Sequence, residues 1–333
     1  MSPQELRPDW LRPLGMTGLV VSAVAAGGGP LGSMPEFFGY DVPAEQAISL
    51  VTEILDSPIQ VIDTANIYSD GESERRVGAG IARAGGLRDG HWIATKVDGR
   101  DGDYSAARVR RSVEESRSRL GLDYLPLVYL HDPEYALDQG LDAPGGAVDE
   151  LVALRDEGLI GHLGVAGGTV EVMNRFLDLG VFEVLLTHNR YTLVDRSASD
   201  LISRASDAGL GVVNAAYLGG GLLANPYGKP YYGYRPAPES TVNAAQALEK
   251  LCHEWGTDLA TAALQFSLRD PRIHMSIVGI TKRERLAALW ASVMKELPEE
   301  FWAAAETLLP DSANWLDPAS AASVPNQRGA TNS

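Results

Sequence analysis

An α/β fold, a closed (β/α)8 TIM barrel behind an N-terminal β-hairpin, is predicted by three features of this 333-residue sequence. Short apolar stretches alternate with helical patterns eight times without a break in composition, which marks one domain over residues 1–333 with an ordered core at about 10–310. The stretches are apolar throughout, as strands covered on both faces are, and do not alternate. No G-x-G-x-x-G follows the first strand, which argues against an open dinucleotide-binding sheet.

The elements follow in order. LRPLGMTGLVV reads as a hairpin turning at 15–18, and the first barrel strand is 21–26, ended by Gly27, Gly28 and Gly29. Asp41 and Pro43 open a helix over 44–56. Strand 61–63 leads to helix 73–84, with Glu72 and Glu74 in its first turn; strand 91–96 leads to helix 105–120, stopped by Gly121. Strand 125–131 runs into a long loop holding Pro133, Pro144, Gly145 and Gly146. The rhythm then repeats as helix 147–157, strand 162–165, helix 170–179, strand 184–187, helix 197–208 and strand 211–215. An irregular stretch over 217–241 is rich in Gly, Pro and Tyr. Helices 242–255 and 259–268, strand 275–279 and helices 282–291 and 299–309 complete the core, before a polar tail that reads as disordered.

Composition narrows the class of function. With 45% hydrophobic and 22% charged residues the chain can bury a sizeable core. A formal net charge of −16 disfavours nucleic acid and anionic lipid as partners. No run of about 18 apolar residues suggests a membrane span, and MSPQELRPDWLRPLG lacks the pattern of a signal peptide. The single cysteine, Cys252, excludes an intrachain disulfide and thiolate metal clusters. A cytoplasmic protein, monomeric or homo-oligomeric, is expected.

Three strands end abruptly on a titratable residue: VID on Asp63, WIATK on Lys96 and LVYLH on His131. A strand interior holds an unpaired charge only at high cost, so these groups belong at strand ends facing a cavity. In a parallel barrel those ends open on one face, where chemistry is built. Asp63 lies within pairing distance of Lys96 across roughly 5 Å of sheet. Tyr68 follows Asp63 by five residues; its phenol, ordinarily near pKa 10, is expected to be lowered by the Lys96 ammonium and to serve as general acid or base. His131 is placed to donate to a carbonyl oxygen.

Each residue also has a plainer role. Lys96 alone reads as a surface lysine and His131 as a satisfied structural histidine; four such groups on three adjacent strand ends point to a site. Lys96 is also suited to a Schiff base in an aldolase-type reaction, which leaves Tyr68 and His131 unused. Asp63, His131, Asp132 and His188 read as ligands of a metallohydrolase lack a His-x-His or close carboxylate spacing, so no metal is expected.

These segments resemble the aldo-keto reductase family. LRPLGMTGLVVSAVAAGGGPLG is similar to its opening hairpin and first strand, VIDTANIYSDGESERRVGAGI to its second βα unit, and WIATKV and LVYLHDPE to the segments carrying its Lys and His. LRDEGLIGHLGVAGG, NAAYLGGGLL and LQFSLRDPRIHMSIVGITKRERLAAL extend the resemblance to near residue 291. It implies a barrel that binds extended NAD(P)(H) without a Rossmann fold, and a tetrad of Asp63, Tyr68, Lys96 and His131. Tyr68 is then the acid/base, Lys96 and Asp63 its tuning pair, and His131 the group that orients the carbonyl. The cofactor positions it implies are Gly28, His188, Asn189, Tyr217, Gly219, Leu222, Gly279, Thr281, Lys282 and Arg285, with Tyr217 stacking on the nicotinamide. Lys282, Arg283 and Arg285 suit a 2′-phosphate, which favours NADP(H) over NAD(H), although such residues opening a surface helix are also commonly just solvated.

The chain departs from the family pattern in places. Ala166 and Gly167 stand where Ser-Asn is common, His188 and Asn189 where Gln is usual, and Ala288 and Leu289 where Glu-Asn is common. Carboxamide recognition thus falls to His188 or Asn189. LVYLHDPE, THNRYTLVDRSA and YYGYRPAP resemble the bacterial aldose 1-dehydrogenase branch, with its L-fucose (D-threo-aldose) and pyridoxal 4-dehydrogenases. That implies oxidation of a sugar hemiacetal at C1 to a lactone, Tyr68 taking the hydroxyl proton. A barrel that keeps the cofactor but serves regulation is the alternative.

On the substrate side stand Tyr68, Trp92, His131, Asp132 and Tyr234, Trp92 reading equally as core. Tyr217, Tyr227, Tyr231, Tyr232 and Tyr234, with Asn225, Lys229 and Arg235 among them, offer flat faces and hydroxyls to a small sugar or aldehyde, or pack over the rim. Asp132 and Glu134 suit polyol hydroxyls, and Arg190 or Arg235 one anion.

Overall fold

The computed structural model describes residues 7–35 and 39–318. Strands Leu11–Pro13 (β1) and Val20–Ser22 (β2) form the expected hairpin, antiparallel with Leu11 opposite Ser22. Its turn needs Gly15, whose φ is +55° and whose Cβ would lie 2.3 Å from the Gly211 nitrogen. The stretch expected as one strand over 21–26 is divided, because the chain changes partners at Ala23. The Ala23 N–H donates to the Trp10 carbonyl at 2.7 Å, and Ser22 Oγ donates to the Val24 carbonyl at 2.7 Å. The barrel strand begins only at Val24–Gly27 (β3).

Val61–Asp63 (β4), Trp92–Val97 (β5), Leu125–His131 (β6), Ile160–Gly167 (β7), Val184–His188 (β8) and Gly211–Ala215 (β9) follow. A small hairpin of Tyr231–Tyr232 (β10) and Arg235–Pro236 (β11) then precedes Met275–Gly279 (β12). The eight barrel strands close in the order β12-β3-β4-β5-β6-β7-β8-β9, every neighbouring pair parallel. The predicted α/β barrel is therefore the observed one. Register aligns Gly27 with Asp63, Lys96 with Tyr129 and His131 with Ala166, bringing the titratable strand ends to one face.

The connecting helices are Ala44–Leu55 (α1), Glu72–Arg83 (α2), Ala106–Leu120 (α3), Ala147–Asp156 (α4), Val170–Leu177 (α5), Ser199–Asp207 (α6), Glu239–Glu254 (α7), Leu259–Leu268 (α8), Arg283–Met294 (α9) and Glu299–Glu306 (α10). Local signals set their ends. Ser105 Oγ accepts the Arg108 N–H at the start of α3, and Gly121, at φ +69°, closes it. Pro238 starts α7 three residues earlier than the sequence pattern suggests. The loop after His131 holds short 3-10 turns at Pro133–Tyr135 and Leu137–Gln139.

Two apolar layers result. Between the helices and the barrel lie Ile54, Val113, Leu120, Phe176 and their neighbours. Inside the barrel, Leu14 and Val21 from the hairpin meet Val61, Trp92, Leu127, Val184 and Met275. Each fully buried Leu or Val contributes about 1.5–3 kcal/mol. No helix among the described residues is long and apolar enough to cross a membrane. The polar tail expected after helix 299–309 lies, beyond residue 318, outside the described residues.

Candidate active site

The predicted tetrad converges at the C-terminal mouth of the barrel. Lys96, 2% exposed, donates from Nζ to Asp63 Oδ1 at 2.5 Å and to the Thr64 carbonyl at 2.6 Å. Its ammonium lies 4.9 Å from the centroid of the Tyr68 ring. Tyr68 and His131 meet edge to face, centroids 5.7 Å apart at 78°. Asp63 comes from β4, Tyr68 from the loop after it, Lys96 from β5 and His131 from β6.

Electrostatics correct one expectation. The Tyr68 phenol is not lowered by Lys96: burial, then the carboxylates of Asp63, Asp132 and Asp98, push it well above its ordinary value. Lys96 spends its charge on Asp63 and Thr64, while three acidic strand ends face the phenol. The resting site therefore holds Tyr68 protonated. Burial also pushes Asp63 up against the pull of Lys96. Burial opposes a charge on His131, yet Asp98 and Asp132 override it and raise the imidazole above its usual range. Asp132 is likewise desolvated, but His131 and His188 hold its carboxyl far below the ordinary carboxylate range.

A second tier supports the first. Asp98 Oδ1 lies 2.6 Å from His131 Nδ1, and Tyr104 receives the His131 backbone N–H at 3.1 Å while its own hydroxyl donates to the Val97 carbonyl at 2.7 Å. Asn189 Nδ2 donates to His188 Nδ1 at 3.1 Å, which turns His188 Nε2–H toward Asp132 Oδ1, 3.4 Å away. Asp132, Glu134 and His188 bring donor atoms within 4.8 Å of one another; Glu134 Oε1 accepts the Gly168 and Thr169 amides, whereas Glu134 Oε2 and, apart from the approach of His188, Asp132 Oδ1 are buried without a hydrogen-bond partner among the described residues. Beneath the Tyr68 loop, fully buried Glu74 accepts from Thr95 at 2.6 Å and pairs with Arg119, whose guanidinium also donates to the Asn66 carbonyl. Neither Asp98 nor Arg119 stood out in the sequence, and Glu74 did so only as a first-turn residue of its helix. Asp98 had a signal: period two along a strand puts residues 96 and 98 on one face.

The comparisons agree with this geometry. The model of the aldo/keto reductase family matches residues 27–310. The chain belongs to the aldo/keto reductase family. It is thereby an NAD(P)-dependent oxidoreductase. Relatives include an L-galactose dehydrogenase of Arabidopsis thaliana, 34% identical over 81% of this chain and 84% of that one. A D-threo-aldose 1-dehydrogenase of a Pseudomonas species is 26% identical over 86% of this chain and 93% of that one. In fold, the holo form of an aldo-keto reductase from Bacillus halodurans superposes with a TM-score of 0.72 at 23% identity, covering 90% of this chain and 96% of that one.

The cofactor candidates of this aldo/keto reductase fall into two groups. Asn189, fully buried with Oδ1 unpartnered among the described residues, sits beside His188 at the end of β8 and suits an amide donor such as a carboxamide. Tyr217 lies buried just past β9, its phenol pushed up by burial against the charge of Arg285. Gly279 and exposed Lys282 and Arg285 stand at the end of β12 and the start of α9, with Thr281 buried between them. These residues fit a nicotinamide dinucleotide.

Others do not. Gly28 is packed within the protein: its amide donates to the Asp63 carbonyl at 2.6 Å, and a Cβ there would meet that same oxygen at 2.9 Å. Gly219 makes room for the Tyr232 ring, and Leu222 buries its side chain in the core. Trp92, taken as a substrate residue, lies at the opposite end of β5 from Lys96, its indole N–H donating to the Val20 carbonyl of the hairpin. Arg190 and Arg235, considered for an anion, are engaged by Asp317 and the Leu316 carbonyl. Leu289 is buried in the core. Among the rim tyrosines, Tyr227, Tyr231 and Tyr234 are exposed. Tyr232 is buried, its hydroxyl donating to the Asn189 carbonyl at 2.5 Å and lying 2.8 Å from Thr192 Oγ1.

Proposed function

We propose that this aldo/keto reductase, acting as one barrel domain in the cytoplasm, transfers hydride between NADP(H), favoured over NAD(H), and a small polar aldose or aldehyde. The reaction is oxidation of a sugar C1 hemiacetal to the lactone, or its reverse type, aldehyde reduction. One observation carries it: the buried Asp63–Lys96 pair sits beneath Tyr68, with His131 edge-on to the same ring. The sugar-dehydrogenase names of two relatives support the aldose. So does a mouth lined by Asp132 and Glu134, because carboxylates accept from hydroxyls and repel anionic substrates.

A bound nicotinamide supplies the hydride acceptor or donor; this chain's residues handle the proton. Tyr68 holds it at the phenol oxygen, His131 orients the reacting oxygen, and Lys96, fixed by Asp63 and Thr64, supplies the positive charge that favours the phenolate when the proton leaves. Because Tyr68 rests protonated, its phenol remains a proton donor for reduction through neutral pH. Oxidation needs the phenolate and rises with pH.

The test follows nicotinamide absorbance with both cofactors and L-fucose, D-arabinose, L-galactose, D-glucose and pyridoxal, then aldehydes in the opposite direction. Tyr68→Phe is expected to lower kcat about 10²–10⁴-fold with cofactor affinity and Tm unchanged. Retention of most turnover in that variant removes Tyr68 as acid/base. Cofactor binding without turnover in either direction favours a regulatory barrel.

A further inference from the structure

We infer that Asp98 is a positioning residue that fixes His131 with Nε2 turned toward the mouth and ties it to the loop carrying Tyr68. Asp98 lies just past β5 and is 7% exposed. Its two carboxylate oxygens serve different elements. Oδ1 is 2.6 Å from His131 Nδ1, and Oδ2 accepts the backbone N–H of Ile67, the residue before Tyr68, at 3.1 Å. The backbone that carries it is held as well, since the Asp98 N–H donates to Ser112 Oγ at 3.3 Å. One buried side chain thus spans the two parts of the site whose relative placement decides whether acid and orienting group meet the same oxygen.

The chemistry of the pair sets the state of the imidazole. A carboxylate only accepts, so Nδ1 carries hydrogen whatever the charge of the ring. Nε2 is then the atom left for the mouth, 3.9 Å from Asp132 Oδ2. It donates when the ring is charged and accepts when it is neutral. The groups facing His131 are Lys96 and Asp98 from the end of β5, Asp63 from β4, the Tyr68 ring, the Tyr104 hydroxyl on its backbone, and Asp132 next in sequence with His188 behind it. Three carboxylates against one ammonium favour the imidazolium, in line with the raised His131 noted above. Asp98 therefore extends toward neutral pH the range in which Nε2–H donates to a substrate oxygen. The catalytic part of this inference rests on the orienting role proposed for His131; the orientation and charge of the ring do not.

The experiment reads the two separately. In the full-length protein labelled with ¹⁵N-histidine, the His131 signal is identified by its loss in His131→Gln. Nδ1 is expected to stay protonated throughout the titration, with a midpoint above that of an exposed histidine. Asp98→Asn is expected to lower the midpoint by about one pH unit or more and to move the alkaline fall of kcat/KM for reduction down with it, leaving cofactor affinity unchanged. Asp98→Glu, which keeps the charge, is expected to restore the midpoint, and it carries the test if Asp98→Asn does not fold. An unchanged His131 midpoint in Asp98→Asn, or a midpoint in Asp98→Glu as low as in Asp98→Asn, overturns the inference. Absence of turnover in the unaltered protein counts against the proposed function, and the titration still decides for Asp98.

Discussion

At the closed end of the barrel, Leu14 and Val21 from the hairpin pack on Val61, Trp92, Val184 and Met275, whereas at the open end Asp63, Lys96, Asp98 and His131 stand on the same strands or just beyond them. The closed end is apolar and backed by backbone hydrogen bonds, such as Met16 N–H to the Gly209 carbonyl at 2.9 Å. The open end carries strain as well as charge. Asp132, Asn189 and Ala216, each the first residue past a strand, have φ of +44°, +60° and +50°, a region that costs non-glycine residues about 1–2 kcal/mol. One end stabilises the barrel, and the other draws on that stability to hold buried charges and unusual backbone in fixed positions.

Substitutions at the two ends should therefore separate stability from turnover. The largest effect is expected from Lys96→Met, which leaves Asp63 buried and uncompensated. Turnover should vanish, and denaturant unfolding should show a loss of about 3–5 kcal/mol. Adding Asp63→Asn should return most of that stability and none of the activity; a double variant as unstable as the single one would mean that the Lys96 stem, not its charge, is what the fold needs. At the other end, Leu14→Ala should cost about 2–5 kcal/mol in the same measurement while kcat and KM stay put at temperatures where the variant is folded. A fall in kcat there would show that the two ends are coupled. The smallest effect belongs to Ala216→Gly, which relieves one left-handed residue at the mouth and should raise stability by roughly 0.5–1 kcal/mol. A loss instead would mean that the alanine methyl packs usefully beside Tyr217.

The same division explains what could be read from the amino acids alone. The barrel was legible because each apolar run is bounded by turn residues and followed by a helical pattern, and Asp63, Lys96 and His131 stood out as charges ending such runs. The break at Ala23 was not legible, since Val20, Val21 and Ala23 to Ala26 form one apolar stretch and only the Trp10 carbonyl and the Ser22 hydroxyl divide it. Trp92 reads equally as core or cleft until the position along β5 is known. The direction of the Tyr68 shift was missed for a related reason. Lys96 is near Tyr68 in any barrel of this register, but Asp98 and Asp132 reach the phenol from two further strand ends, and their combined field follows from closure of the barrel rather than from any local pattern.

Tyr232 has one more consequence. Its ring lies over Gly219 and its hydroxyl is fastened to Asn189 and Thr192, so the rim hairpin is riveted from below while Tyr231 on one side is exposed and Tyr234 on the other, though partly exposed, hydrogen-bonds with the Asn189 side chain. The loop thus behaves as a mounting plate with one free tip. For an engineer, position 231 is a place to install new selectivity without disturbing the chemistry beneath, provided the rivet at 232 and the Tyr234–Asn189 contact are left in place.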